Sequence, residues 1–236
     1  MPEPLHDFRF PGESSQYREA RDELLRSEIE LRRQIEHTAE QRRALPLGGA
    51  VQTDYVFHEW DPNAGAPREV RLSELFEPGK DTLFLYSFMI VPQEQGLPFV
   101  GPCPSCTSIV DGIDGAVPHL RQQINLAVAA KPPIENFREH GERRGWRHTR
   151  LLSSSPSSYN RDYGAEDENG YQWPLATVFV QRDDQIHHVW SSELWFVGED
   201  EGQGPRHVDF MWPMWMVLDR TPGGRGGDWG PQLEYS

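Results

Sequence analysis

Hydrophobic and polar residues follow two different patterns along the chain, and these patterns predict where helices and strands lie. A long helix is predicted from Ser14 or Ser15 to about Arg43, because this stretch has no Gly or Pro and is rich in Glu, Arg and Leu. Its apolar positions form only a thin stripe, so we expect the helix to lie on the rest of the protein or on a second subunit. Pro46 and the glycines that follow end it.

The middle of the chain contains two continuous apolar runs, TLFLYSFMIV (82–91) and INLAVAA (124–130). This pattern is typical of strands that are buried on both faces. The other predicted elements are strands at 54–60 and 69–76 (the second running into a short helix), a helix after the first apolar run, a helix at 132–145, a third core strand within 146–154, a hairpin of 174–181 with 185–192, and an aromatic helix within 207–219.

Strands and helices therefore alternate before an antiparallel pair, which predicts a mixed sheet with helices on both faces. This order is the thioredoxin order. We predict an α/β, thioredoxin-like domain over 46–236, ending in the aromatic helix and a tail, preceded by an arm and the long helix over 1–45.

Composition narrows the classes of partner. The formal charge of -14, with no basic patch, argues against nucleic acid, since phosphate binding needs clustered Lys and Arg. No apolar run approaches the ~20 residues of a membrane-spanning helix, and the first residues lack a secretory core, so we expect a cytoplasmic protein without a membrane partner. In that compartment two cysteines are more often catalytic or metal-binding than a structural disulfide.

The two cysteines, Cys103 and Cys106, have the spacing of reversible dithiol chemistry. With Pro104 as first helical residue, Cys103 falls at the N-cap, where the helix dipole favours the thiolate. Cys103 is therefore the expected nucleophile and Cys106 the resolving thiol, acting on a small-molecule or protein thiol or disulfide without a cofactor. The cysteine pair therefore predicts a thiol–disulfide oxidoreductase.

Pro174 begins the first strand of the predicted hairpin, where thioredoxin-like folds carry a cis-proline that faces the dithiol. We expect a cis bond there and a role in holding the substrate chain. A peroxiredoxin-type peroxidase is disfavoured, because that class usually has Thr or Ser three residues before the attacking cysteine, where this chain has Val100.

Two alternatives use the same cysteine pair. The first is a protein that binds a metal or a small ligand without dithiol turnover. Copper or zinc could be held by Cys103 and Cys106 with His119 and His188, although only part of a ligand set is visible in the sequence. At most one of the adjacent His187 and His188 can face the dithiol side of the sheet. The second alternative is an interaction module with an inert dithiol, which burial of both sulfurs would favour.

An aromatic cluster near the end of the chain has two interpretations. It comprises Phe210, Met211, Trp212, Met214, Trp215 and Met216, with Trp190, Trp195 and Phe196 as candidate neighbours. The cluster predicts a helix packed on the sheet or a dimer surface more readily than a pocket. A homodimer through this helix or through the N-terminal helix is therefore expected.

Several long motifs carry a family resemblance. They are ARDELL, RRALP, DYVF, LSELF, LYSFM, CPSCTSIVDGIDGAVPHL, RRGW, YNRDYG, HHVWSS and LDRTPGGRG. Over about 14–226 the chain resembles the bacterial domain of unknown function 899 family, which is described as thioredoxin-like. The resemblance implies the fold and brings no activity with it.

Overall fold

The computed structural model, which describes residues 5–201, 203–226 and 229–235, divides into two compact units, Met1–Pro46 and Leu47–Ser236. The helices are α1 (Ser15–Arg43), α2 (Pro104–Ile113), α3 (Val117–Leu120), α4 (Ile134–Arg144), α5 (Tyr159–Asp162) and α6 (Pro213–Leu218). The strands are β1 (Val56–Asp61), β2 (Ala66–Arg71), β3 (Thr82–Phe88), β4 (Ile90–Val91), β5 (Gly101–Pro102), β6 (Asn125–Ala130), β7 (Arg150–Ser153), β8 (Leu175–Arg182) and β9 (Gln185–Ser191).

The first unit is dominated by α1, whose predicted limits are confirmed. Ser14 is the N-cap, and its side chain accepts a hydrogen bond from the Tyr17 N–H at 3.1 Å. Arg42 and Arg43 lie in the last turn, where positive charge complements the helix dipole. Among the described residues, no helix is both long enough and apolar enough to cross a membrane.

In the second unit, seven strands of the described chain form one sheet in the order β2-β1-β7-β6-β3-β8-β9. The central strand β3 is parallel to β6 and antiparallel to β8, and β8 continues into β9 by an antiparallel hairpin. The strands β3, β6, β8 and β9 follow one another along the chain in the predicted thioredoxin order, with an antiparallel pair at the end. The thioredoxin-like fold, a mixed sheet flanked by helices, is confirmed.

The sheet buries a separate hydrophobic core on each face, because successive side chains of a strand point to opposite sides. Tyr86 and Phe88 of β3 point into one core, which also contains both cysteines, and we call this side the dithiol face. Leu83 and Leu85 point into the other core, which we call the opposite face. The helices α2 and α4 supply residues to the dithiol face, whereas β1 and α5 supply residues to the opposite face.

A short segment just after the first unit covers the outer edge of β9. The Val51 N–H donates to the Ile186 carbonyl at 2.8 Å, and the His188 N–H donates to the Gly49 carbonyl at 3.0 Å. A Cβ atom on Gly48 would lie 2.3 Å from the carbonyl oxygen of His188. Only glycine permits this approach of the two backbones.

Candidate functional site

The dithiol lies at the C-terminal end of the central strand. After β3, the two-residue strands β4 and β5 pair with each other and close the intervening loop as a hairpin. The Cys103 N–H then donates to the carbonyl of Met89 at 3.0 Å. This bond fixes the start of α2 beside the end of β3. Both cysteines therefore lie at the end of the sheet where β3 terminates.

Cys103 is the N-cap of α2, as predicted. Its backbone is extended (φ -64°, ψ 124°), Pro104 follows within the first helical turn, and its carbonyl accepts a hydrogen bond from the Thr107 N–H at 2.9 Å. Its sulfur accepts a hydrogen bond from the backbone N–H of Cys106 at 3.5 Å. The unpaired N–H groups of a first helical turn thus face the Cys103 sulfur, an arrangement that stabilises a thiolate.

The two cysteines differ in their acidity. A hydrogen bond from the Cys106 thiol, supported by the backbone N–H groups of Cys106 and Ser105, lowers the pKa of Cys103 despite its burial. Burial raises the pKa of Cys106 well above its ordinary value, and the neighbouring Cys103 adds to this effect. Of the two thiols, Cys103 is therefore the one that ionises first.

Both cysteine side chains are covered. Cys103 is 4% exposed and Cys106 is 1% exposed. Val208 and Met211, from the segment before α6, belong to the same core, and the Trp212 indole N–H donates to Ser108 Oγ on α2 at 3.0 Å. The C-terminal segment thus packs on the helix that begins after Cys103.

The predicted aromatic helix is shorter than expected. It consists of a 3₁₀ turn, Asp209–Met211, followed by α6, and α6 itself has no buried residue. Of the aromatic residues expected to join this cluster, Trp190 does so through Phe210, at 5.6 Å between ring centroids. Trp195 instead packs at a tilt against Trp173 and His207, and Phe196 lies against Gly164.

Two polar contacts on the dithiol face were missed in the sequence. The Tyr86 hydroxyl donates to Cys106 Sγ at 3.3 Å, and Thr107 Oγ1 is hydrogen-bonded to His140 Nε2 at 3.0 Å. Burial lowers the pKa of His140 to about 4, and the positive charges of Arg143 and Arg144 add to the shift, so its imidazole is neutral at neutral pH. A tyrosine inside a mostly apolar strand was the available signal, since a buried Tyr hydroxyl usually has a partner.

Pro174 lies close to the dithiol end of the sheet but does not have the expected bond. The register pairs Leu175 with Ser87, so Pro174 falls opposite Phe88, one residue before Met89. The Trp173–Pro174 peptide bond is trans, and the expectation of a cis bond is wrong. Trp173 is held by its N–H donating to the Ala165 carbonyl at 2.9 Å, and this turn accommodates the trans form, which X–Pro bonds prefer.

The residues suggested for a metal site are not brought together. His119 is exposed on α3. His188 lies on the opposite face, where its ring contacts Tyr163 and Phe179 and its Nε2 is hydrogen-bonded to Ser191 Oγ at 2.9 Å. Within the described part of the chain, no group of three or more His, Cys, Asp or Glu residues is placed to hold a metal ion. The copper or zinc set of Cys103, Cys106, His119 and His188 is therefore wrong.

Several solved structures with a similar fold are peroxiredoxins. A reduced 2-Cys peroxiredoxin of Plasmodium vivax is 14% identical with a TM-score of 0.43, covering 69% of this chain and 96% of that one. The peroxidoxin BcpB of Mycobacterium tuberculosis is 16% identical with a TM-score of 0.42, covering 74% and 98%. A mutant of Xanthomonas campestris peroxiredoxin Q is 12% identical with a TM-score of 0.44, covering 74% and 97%. Similarity at this level does not transfer an activity.

Sequence comparison supplies the family. No protein with curated function matches the chain. The model of a family described as "Bacterial protein of unknown function (DUF899)" matches residues 9–235. The chain therefore belongs to the DUF899 family.

Proposed function

We propose that this protein is a thiol–disulfide oxidoreductase in which Cys103 attacks a disulfide and Cys106 resolves the product. The observation that carries the proposal is the position of the pair at the start of α2, where Cys103 is the N-cap and its sulfur accepts the Cys106 N–H. The pKa of Cys103 is lowered by hydrogen bonds to its sulfur, whereas burial raises the pKa of Cys106. A dithiol exchange needs this division between an attacking thiolate and a protonated resolving thiol.

The proposed reaction has two steps. The Cys103 thiolate attacks one sulfur of a substrate disulfide, forms a mixed disulfide and releases the other sulfur as a thiolate. Cys106 then loses its proton and attacks Cys103 Sγ, which releases the second substrate thiol and leaves a Cys103–Cys106 disulfide. The substrate is reduced by two electrons, and a low-molecular-weight thiol or a protein dithiol returns these electrons to the enzyme.

Substrate access is part of the proposal, because Cys103 is only 4% exposed. Leu97 and Phe99 of the loop between β4 and β5 pack against the core that contains Cys103, and Met211 belongs to that core. We propose that a substrate displaces part of this packing to reach the Cys103 sulfur. Pro174 is proposed to contact the substrate chain, because its register places it at the same end of the sheet. We further propose a cytoplasmic homodimer that acts on small-molecule or protein disulfides.

The direct test is disulfide exchange with oxidised glutathione and with insulin. Wild-type protein should exchange one or both of them, and Cys103→Ser should reduce the rate to background because the attacking sulfur is gone. The matched variant Cys106→Ser should still attack and should accumulate a mixed disulfide, detected as a mass increase of the intact protein. A wild-type rate equal to that of Cys103→Ser, with both substrates, would exclude the proposed activity.

A second candidate function is an interaction module with an inert dithiol, and the burial of both cysteines favours it. In that case neither thiol of the native protein would react with a chromogenic disulfide such as dithiobis-nitrobenzoate, and both would react after unfolding in urea. Reaction of one thiol in the native state at a rate independent of global unfolding would favour the oxidoreductase instead.

A further inference from the structure

Tyr86 lies within β3, and its side chain contacts the dithiol. Its hydroxyl donates a hydrogen bond to Cys106 Sγ at 3.3 Å, and its side chain is fully buried. Neighbours in the sheet are small or apolar on both sides, since Tyr86 is in register with Val128 of β6 and Ala176 of β8. The sulfur of Cys106 is thus the polar atom that this hydroxyl contacts inside an apolar core.

The strength of this hydrogen bond depends on the protonation of Cys106. A neutral thiol is a weak acceptor, whereas a thiolate is a charged acceptor and forms a much stronger bond. A buried hydroxyl also costs free energy when its hydrogen bond is poor. The contact between Tyr86 and Cys106 therefore favours the thiolate of Cys106, which is the form that must attack in the resolving step.

Tyr86 acts as a donor and does not accept the proton of Cys106. Burial raises the pKa of Tyr86 well above its ordinary value, and negative charge on either cysteine raises it further. The phenol therefore stays protonated when Cys106 ionises. In addition, the hydrogen bond with Tyr86 acts to lower the pKa of Cys106 against the effect of burial.

We propose that Tyr86 is a catalytic residue of the resolving step, where its hydroxyl stabilises the Cys106 thiolate and holds it beside Cys103. The inference rests on the proposed oxidoreductase function. In this step the Cys106 Sγ–Cys103 Sγ bond forms as the bond from Cys103 Sγ to the substrate sulfur breaks. The bonding electron pair leaves with the substrate sulfur, which takes up the proton that Cys106 released, and Tyr86 keeps its own proton.

The first experiment separates attack from resolution in the native protein. With an excess of dithiobis-nitrobenzoate, attack by Cys103 releases one coloured thiolate, and resolution by Cys106 releases a second one in a first-order phase. Tyr86→Phe keeps the ring and removes the hydroxyl, so it should slow the second phase about tenfold and leave the first nearly unchanged, because a hydrogen bond to a charged group is lost. The control is Tyr159→Phe, which removes the hydroxyl of a fully buried tyrosine on the opposite face. A second phase that Tyr86→Phe does not slow, or that Tyr159→Phe slows equally, overturns the proposal.

The second experiment does not need turnover, so it distinguishes failure of this inference from failure of the oxidoreductase function. The titratable groups facing Cys106 are Cys103 and Tyr86, and His140 on α4 is linked to the adjacent Thr107. In a Cys103→Ser background with ¹³Cβ-labelled cysteine, the NMR shift of Cys106 reports its ionisation. Adding Tyr86→Phe should raise the midpoint by about one pH unit. Two results overturn the role of Tyr86 even if the wild-type protein exchanges disulfides. One is an ionisation midpoint of Cys106 that Tyr86→Phe does not change. The other is a Cys106 that, with Tyr86 in place, does not ionise before the protein unfolds in alkali.

A third variant covers the case in which Tyr86→Phe does not fold. Replacement of Tyr86 by 3-fluorotyrosine keeps the ring and the hydroxyl but makes the hydroxyl a stronger hydrogen-bond donor. The pH midpoint of Cys106 ionisation should then fall, and the second phase of thiolate release should accelerate. A midpoint that stays the same or rises overturns the proposal.

Discussion

The two faces of the central sheet are built from similar residues but differ in chemistry. Each face has a fully buried tyrosine, Tyr86 or Tyr159, and a histidine whose pKa is lowered mainly by burial, His140 or His188. On the dithiol face the tyrosine hydroxyl meets a sulfur. On the opposite face the Tyr159 ring packs against Phe57 and Tyr163, at 5.2 and 5.3 Å between centroids.

Buried aromatic and imidazole groups therefore occur on both faces, whereas both cysteines lie on the dithiol face. The opposite face opens on a cleft of about 660 Å³ lined by residues such as Tyr55, Tyr163, His188 and Phe196, and it contains no cysteine. The dithiol face has the start of α2, whose N–H groups point at the Cys103 sulfur. The proposed reactivity of Cys103 therefore depends on this helix terminus, since buried aromatic rings are present on both faces.

The largest expected effect comes from the two core phenylalanines, Phe88 on the dithiol face and Phe179 on the opposite face. Each is at most 1% exposed, so Phe→Ala at either position should lower the free energy of unfolding by about 3–5 kcal/mol, measured by urea denaturation. Only Phe88→Ala should change the native reaction rate of Cys103, because Phe88 is the residue before Met89, which fixes the start of α2. Equal changes of this rate in both variants would contradict the separation of the faces.

A pH effect on stability should come next in size. Between pH 6.5 and about 4 the unfolded chain binds a proton at residue 140 that the folded protein does not, so the free energy of unfolding falls as pH falls through this window. A single proton gives a slope of at most about 1.4 kcal/mol per pH unit. His140→Gln should flatten the curve measured by urea denaturation at several pH values, and His188→Gln on the opposite face should flatten it less. Curves of wild-type and His140→Gln with the same slope would refute this expectation.

A smaller effect is expected at the buried threonines. Thr107→Val keeps the shape of the side chain but leaves His140 Nε2 without its hydroxyl partner, so it should cost about 1–3 kcal/mol of unfolding free energy. Thr177→Val on the opposite face should cost less. Its hydroxyl accepts from Ser191 Oγ at 3.3 Å, and Ser191 keeps its hydrogen bond with His188. Thermal and urea unfolding of both variants check the order, and a greater loss in Thr177→Val would reverse it.

The smallest effect is expected for Tyr55→Phe on the opposite face. The Tyr55 hydroxyl donates to Asp162 Oδ2 at 2.8 Å, and Ser158 Oγ donates to the same oxygen at 2.6 Å, so the exposed carboxylate keeps a partner. The loss of unfolding free energy should be about 1 kcal/mol or less. Both phases of the thiol reaction should match wild type. A change in either phase would show that the two faces are coupled.

Local patterns predicted most of the fold. The limits of α1 follow from the Ser14 cap and from the absence of Gly and Pro, and the position of β6 follows from a run in which all six residues are buried. The N-cap position of Cys103 follows from the adjacent Pro104. These features depend on neighbouring residues, and a sequence displays them directly.

The contacts that define the dithiol site could not be predicted in the same way. Tyr86 is 20 residues from Cys106 and Thr107 is 33 residues from His140, and the sequence does not show which distant side chains meet. The core that contains Cys103 also includes Met211, more than a hundred residues downstream. Topology places Pro174 at the correct end of the sheet, but the form of its peptide bond depends on the turn before it.

The close approach of Gly48 to the carbonyl of His188 has a consequence for assembly. The segment from Gly49 to Val51 occupies backbone groups of β9 that a strand of another molecule could otherwise bind. Exposed edge strands are sites at which proteins aggregate by extending each other's sheets. Any side chain at position 48 would push this segment away and uncover the edge, so a single missing Cβ atom protects the sheet against growth from that side.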